Sequence, residues 1–147
     1  SLKKLLLILL GTLLVCSSNL SATEPQPGLD YWKKIKQEAI QTESGLQYKV
    51  QIMGDGPKPT AKSRVRVHYR GILLNGVEFD SSYDNDEPVK FSLKSVIKGW
   101  TEGIQLMPAG SVFVFLIPPE LAYGSRGSSP IPPNATLIFQ VELFGTK

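Results

Sequence analysis

Chemically reactive side chains are scarce in this chain. Its 147 residues include one cysteine and one histidine. A single cysteine builds neither a disulfide framework nor a cysteine-based zinc site, and a single histidine leaves no His–His metal pair. Common catalytic signatures are absent: there is no G-x-S-x-G elbow, no G-x-x-x-x-G-K-[ST] phosphate loop and no H-E-x-x-H. No cofactor is expected. Net charge is also low, at +3 with 41% hydrophobic residues, which excludes a disordered chain. The 13 glycines and 11 prolines follow no collagen-like period. What remains is a chain of the right length to bury one ordinary core.

The sequence pI of about 9.0 raises the question of a polyanionic partner, so the position of the charge matters. Lys3 and Lys4 precede an apolar run, Leu5–Val15, in the manner of a secretory leader. The run is too short to span a membrane, which takes roughly 17–25 residues. No acidic residue precedes Glu24, so losing residues 1–22 removes two of the 16 basic side chains and none of the 13 acidic ones. The basic pI is in part an export signal, and a nucleic-acid partner is not expected. Cleavage after Ala22 fits the small-residue rule. The competing reading is acylation at Cys16 in a lipobox-like Leu13-Leu14-Val15-Cys16, although Val15 stands where a small residue is usual. Cleavage is favoured; a membrane is a partner only if Cys16 is lipidated. The expected location is the periplasm or outer membrane.

Thr23–Gly28 reads as a Pro/Gly linker. Asp30 is placed to cap a short amphipathic helix over Tyr31–Gln41, packed on or tethered to the domain and ended by Ser44-Gly45. The period then becomes two. Leu46, Tyr48, Val50 and Ile52 alternate with polar residues, as do Val65, Val67 and Tyr69, and Val89, Phe91 and Leu93. Asn75-Gly76 is a hairpin signal. Ile97, Trp100, Ile104 and Met107 recur at helical spacing until Pro108 and Gly110. Ser111–Ile117 is apolar on both faces and predicts a central, covered strand. Residues 124–134 form a Gly/Ser/Pro loop, and Thr136–Phe144 makes a last strand. The sum is an α+β domain, with an antiparallel sheet of about five strands curled around one short helix. The expected division is 1–22 leader, 23–43 linker and short helix, and 44–147 globular domain.

Polar chemistry is thin. His68 lies among arginines on the polar face of its strand and reads as a solvated or cross-strand-paired side chain rather than a general base. Asp84, Asp86 and Glu87 lack the spacing of a calcium loop and read as a solvated turn. Tyr69, Phe79, Phe91, Trp100, Tyr123 and Phe139, by contrast, come from different elements and aim mostly at one interior. On periodicity alone that set is a plain aromatic core.

Five ordered motifs go further: Val67-His-Tyr-Arg-Gly71, Val77-Glu-Phe-Asp-Ser-Ser82, Val96-Ile-Lys-Gly-Trp-Thr-Glu-Gly103, Leu121-Ala-Tyr-Gly124 and Ile131-Pro-Pro-Asn-Ala-Thr-Leu-Ile-Phe139. Together they resemble FKBP-type peptidyl-prolyl cis-trans isomerases over residues 44–147. Ser44–Val50 and Trp100–Gly110 look most like the exported bacterial macrophage infectivity potentiator subgroup. The resemblance implies a proline pocket with Trp100 as floor. Tyr69, Phe79 and Phe139 are its walls, with Phe91 and Val89 beside them, Val96 and Ile97 on the rim and Ile131 closing the side. It further implies that the Ile97 N–H binds a substrate carbonyl, and that Asp80 and the Tyr123 hydroxyl supply polar contacts. Asp80, Tyr123, Trp100 and Phe139 are then the catalytic set. The implied partners are proline-containing unfolded chains or peptides, macrolide inhibitors such as rapamycin, and no second subunit.

Three departures from the best-known eukaryotic members bear on ligand preference. Val89 stands in place of an aromatic, Asn85 in place of an arginine, and Ser128-Ser129 in a stretch that elsewhere carries a histidine. The alternative reading is a non-catalytic FKBP-like chaperone or binding module, which needs the aromatic pocket but not Asp80 and Tyr123. A small β-rich ligand carrier fits the composition and not the motifs.

Overall fold

The computed structural model describes residues 27–146; the stretch expected to be a leader, with Cys16 and the expected cleavage after Ala22, lies outside them. Seven antiparallel strands form one sheet: β1 (Ile40–Gln41), β2 (Gln47–Ile52), β3 (Arg64–Leu73), β4 (Glu78–Ser81), β5 (Val89–Ser92), β6 (Val112–Ile117) and β7 (Leu137–Thr146). The spatial order is β1-β2-β6-β7-β3-β4, and β5 also pairs with β3. β7 runs along the whole of β3, from Val65 to Leu73. β4 and β5 share the other edge of β3, opposite Arg70–Ile72 and Arg64–Val67 respectively. The two strands beyond the expected five are the short β1 and β4, whose two and four residues are too few to display a period.

Alternation places Val65, Val67 and Tyr69 of β3, Phe113, Phe115 and Ile117 of β6, and Leu137, Phe139, Val141 and Leu143 of β7 in one core. The sheet closes over helix α2 (Lys98–Ile104), which buries Trp100 and Ile104. Two glycines let α2 come this close to β6. A Cβ on Gly99 would lie 2.6 Å from Ile117, and one on Gly103 2.5 Å from Phe115. Two side chains of the sheet therefore occupy the space that methyl groups would need.

Helix α1 (Pro27–Ile35) starts and ends earlier than its sequence period predicts, and a 3₁₀ turn at Lys36–Glu38 follows. Pro27 and Gly28, read as linker, are its first residues; proline suits a first turn, whose N–H groups have no helical acceptor. Asp30 accordingly lies in the first turn rather than at the cap, where its charge still favours the helix dipole. Ala39 is already extended, and the chain is then taken up by pairing of β1 with β2. Ser44-Gly45 belongs to the turn between those strands. Trp32 and Ile35 bury themselves against Val114 and Ile138 on the outer face of β6 and β7. This explains the unbroken apolar run of β6: its inner residues face the core and its outer ones lie under α1. Among the described residues no helix is long and apolar enough to cross a membrane.

Candidate active site

The sheet does not cover α2 completely. At the N-terminal end of the helix a pocket of about 470 Å³ opens to solvent, lined by Tyr69, Phe79, Asp80, Phe91, Ser95, Val96, Ile97, Trp100, Ala122, Tyr123 and Phe139. Strand alternation aims Tyr69 and Phe139 inward, α2 raises Trp100 from below, and the chain after β6 brings Tyr123 to the mouth. The indole of Trp100 is the floor. It meets Tyr69, Phe91 and Phe139 edge-to-face, with centroids 5.1, 5.3 and 5.3 Å away and interplanar angles of 84°, 86° and 80°. Aromatic rings prefer this arrangement because positive edges meet negative faces. The Trp100 Nε1–H is buried without a hydrogen-bond acceptor. Phe79 meets Phe139 in the same way at 5.4 Å. Gly71 makes room for this pair: a Cβ there would lie 2.6 Å from the Phe79 ring and 2.7 Å from that of Phe139.

One carboxylate borders the apolar surface. Asp80 Oδ2 accepts the Tyr69 hydroxyl at 2.7 Å, and Oδ1 accepts the Ser81 N–H at 2.9 Å. Burial chiefly, then the hydrogen bond to Asp80 and its charge, raise the Tyr69 hydroxyl well above the usual tyrosine range. Tyr69 therefore stays a neutral donor at every physiological pH. Ile97 caps α2 with extended backbone, and its carbonyl accepts the N–H groups of Trp100 and Thr101.

Nine of the eleven site residues expected from the sequence line this pocket. Val89 and Ile131 do not. Val89 pairs with Val67 across the ladder, and its short side chain is taken up by the core below the pocket. Ile131 is folded into the same core by the turn that bridges it to Ser128. Ser95 and Ala122 line the pocket unannounced, being small residues with no periodic signal. The Tyr69–Asp80 bond is also new relative to the motifs, which imply Tyr69 as a wall and Asp80 as a separate polar contact. His68 is half-buried and paired rather than simply solvated: its Nδ1 lies 2.8 Å from Ser82 Oγ and its ring stacks on Tyr83. Asp84, Asp86 and Glu87 are exposed, and among the described residues no acidic, histidine or cysteine cluster could hold a metal ion.

A pocket of this kind offers shape, apolar surface and one fixed carboxylate, with no histidine, cysteine or lysine in its lining. Comparison with known proteins points the same way. Residues 56–144 match the family model described as FKBP-type peptidyl-prolyl cis-trans isomerase. The FKBP-type peptidyl-prolyl cis-trans isomerase FkpA of Aeromonas hydrophila is 57% identical over 109 residues, covering 74% of this chain and 41% of the relative. The outer membrane protein MIP of Legionella longbeachae is 43% identical over 129 residues, covering 87% of this chain and 51% of the relative. The crystal structure of FkpA from Escherichia coli superposes with a TM-score of 0.75 at 44% identity, over 82% of this chain and 57% of that one. The chain thus spans about half the length of the curated relatives it matches.

Proposed function

Because the chain belongs to the family of FKBP-type peptidyl-prolyl cis-trans isomerases, we propose that it accelerates cis-trans isomerisation of X–Pro bonds in unfolded or extended polypeptides. The observation that carries this reading is an aromatic pocket bordered by a single held carboxylate. Isomerisation breaks no covalent bond, so a lining without histidine, cysteine or lysine to activate or act as a nucleophile suits it. The barrier is the loss of amide resonance as the C–N bond twists, about 18–20 kcal/mol in water. The planar amide is the more charge-separated form and the better hydrated. An apolar pocket therefore raises it relative to the twisted state. Walls that fit a twisted prolyl better than a planar one add the differential binding that catalysis requires.

In this reading the prolyl ring rests on Trp100 between Tyr69 and Phe139, and the Ile97 N–H donates to a substrate carbonyl. Asp80, held by Tyr69, orients and polarises the amide without taking a proton, and the Tyr123 hydroxyl contacts the substrate at the mouth. Val96 forms the rim. Rapamycin-like macrolides compete for the same surface. The substrates are exported chains still folding, since uncatalysed X–Pro isomerisation takes roughly 10–100 s at 25 °C and can limit folding. The leader supports a place in the bacterial envelope, and so does the outer-membrane name of the Legionella relative.

The test is the refolding of a proline-limited protein together with isomerisation of an X–Pro peptide. We expect acceleration by the wild-type chain and a fall in kcat/KM of about ten-fold or more for Asp80→Ala, the size expected for losing one charged hydrogen-bonding group. No acceleration by the wild type, or full activity in Asp80→Ala, overturns the reading. In that event, undiminished binding of unfolded chains in the presence of a macrolide identifies a non-catalytic binder.

A further inference from the structure

The edge of β3 has a gap. β5 lies beside Arg64–Val67 and β4 beside Arg70–Ile72, so no strand flanks His68 and Tyr69 on that side. In an antiparallel ladder the N–H and C=O of one residue point to the same neighbour. Those of Tyr69 point into the gap. A single residue fills it: the Ser82 N–H donates to the Tyr69 carbonyl at 3.0 Å, and the Tyr69 N–H donates to Ser82 Oγ at 2.7 Å. Ser82 is 2% exposed. Its hydroxyl has one proton and two acceptor sites, and it also lies 2.8 Å from His68 Nδ1 and 3.3 Å from the Tyr69 carbonyl. With the proton on His68 Nδ1, every polar capacity of the side chain is used.

These bonds close a ring. The Tyr69 hydroxyl holds the Asp80 carboxylate, the chain runs two residues on to Ser82, and the Ser82 hydroxyl returns to the Tyr69 backbone. Asp80 itself is exposed; its backbone is paired with Gly71 in the ladder, but apart from Tyr69 its carboxylate is held only by the adjacent Ser81 N–H. The orientation of its carboxylate therefore depends on where the 80–82 segment is pinned. We infer that Ser82 is a positioning residue for Asp80: its buried hydroxyl replaces a missing strand and locks the Asp80-bearing segment onto Tyr69 at the mouth of the pocket. This rests on the isomerase reading given above for the role of Asp80, but the geometric claim has its own readout. Without the hydroxyl, the buried Tyr69 N–H loses its acceptor, and the segment must shift to let water in. A loosened supporting contact of this kind misplaces a functional group without removing it.

The experiment compares wild type, Ser82→Ala, Ser82→Thr, Asp80→Ala and the Ser82→Ala/Asp80→Ala double variant in the full chain. Ser82→Cys is added as a near-isosteric variant in case Ser82→Ala does not fold. On an X–Pro peptide, Ser82→Ala or Ser82→Cys should lower kcat about ten-fold and change KM less than about two-fold, the scale expected when a catalytic group is misplaced rather than lost. Ser82→Thr, which keeps the hydroxyl, should recover most of that. In the Asp80→Ala background the loss of the hydroxyl should cost less than about two-fold, because residues acting through one group are not additive. An equal cost in both backgrounds, or a lowered melting temperature with unchanged kcat, overturns the inference.

The independent readout is the alkaline titration of Tyr69 followed at its ¹³Cζ. Release of the carboxylate should let the hydroxyl ionise at lower pH in Ser82→Ala or Ser82→Cys, as in Asp80→Ala. If the wild type is inactive, the isomerase reading fails while this titration still decides the positioning claim. An unmoved Tyr69 titration overturns it.

Discussion

The chain has two tryptophans, and they lie on opposite sides of one sheet with the same exposure, 4% each. Trp32 comes from α1 and seals the outer face against the aliphatic surface of Ile35, Val114 and Ile138. Trp100 comes from α2 on the inner side and stands perpendicular to three other rings. By burial the two are indistinguishable. What separates them is the stiffness and shape of their neighbours. Branched aliphatic side chains pack closely around Trp32, and the cavity beside them on that face is lined by Tyr31, Ile72 and Ile138 and not by the indole. Flat rings meeting edge-to-face leave wedges between them, and the pocket is such a wedge, with Trp100 at its base. A binding surface and a core contact thus arise from the same amount of buried indole.

Replacing each tryptophan by alanine breaks the comparison most strongly. Both substitutions should destabilise by about 3–5 kcal/mol, the usual cost of truncating a buried aromatic. Activity should then divide them. Trp100→Ala removes the floor and should lower kcat/KM by about 100-fold or more, a scale at which lost positioning and lost fit are felt together. Trp32→Ala should keep kcat/KM within about two-fold of wild type below its own melting temperature, since the cluster that α1 packs into shares no residue with the pocket lining. Melting curves and peptide isomerisation on the same preparations measure both. Equal losses of activity would mean that α1 holds the pocket as well as the outer face.

A smaller effect is expected at high pH, and again on the pocket side alone. Tyr69 ionises in the folded protein only well above its ordinary range, because its hydroxyl is buried and its proton is held by Asp80. An acid whose folded pKa is raised contributes stability that is complete below its unfolded pKa, about 10 for tyrosine, and that falls as pH rises through the folded value. Wild type should therefore lose melting temperature progressively above pH ~10, and Tyr69→Phe should flatten that decline. At neutral pH Tyr69→Phe is expected to cost about 1–2 kcal/mol for the hydrogen bond to a charged acceptor. An unchanged alkaline slope would place the source of the decline at another tyrosine.

The difference between the two sides also bears on what could be read from the chain itself. Val65, Val67 and Tyr69, and Leu137, Phe139, Val141 and Leu143, announce their strands because one face is buried and the side-chain period is two. The apolar run of β6 announced that it is covered on both faces, though not by what. The helix over α1 was shifted because Ala39 and Ile40 continue its apolar pattern, whereas pairing of Ile40 and Gln41 with β2 takes the chain out of helix. The pocket walls were legible as aromatics in ordered motifs. Val89 and Ile131 were carried over with them, yet whether a small side chain reaches a cavity depends on packing that no motif records. The Tyr69–Asp80 bond depends on the register shift between Gly71 and Ile72 that sets β4 against β3. Ser82 was the least legible of all. A serine in a polar turn gives no sign that a gap between two short edge strands will bury it.

The smallest expected effect sets a polar contact on the outer side, whose carboxylate is open to water, against the half-buried one in the pocket. Lys49 Nζ lies 2.5 Å from Glu38 Oε2, and the hydrogen bond to Lys49 and its positive charge hold the Glu38 carboxyl below its usual range. A carboxylate depressed in the folded state adds stability that is present above its unfolded pKa and lost as pH falls through the folded value. Glu38, however, is surrounded by water, which screens the charges and lets both long side chains move. Lys49→Ala should thus return the Glu38 titration, followed by carboxyl ¹³C chemical shift, to the ordinary glutamate range. It should leave the melting temperature at pH 7 unchanged within the error of the melt, and kcat/KM with it. Two contacts of similar length then differ in worth for one reason: the buried Tyr69 side chain shields its hydrogen bond to Asp80 in part from water, whereas the Glu38 carboxylate is open to it. A clear loss of stability in Lys49→Ala would show instead that the link between Glu38 and β2 is what keeps α1 on the sheet.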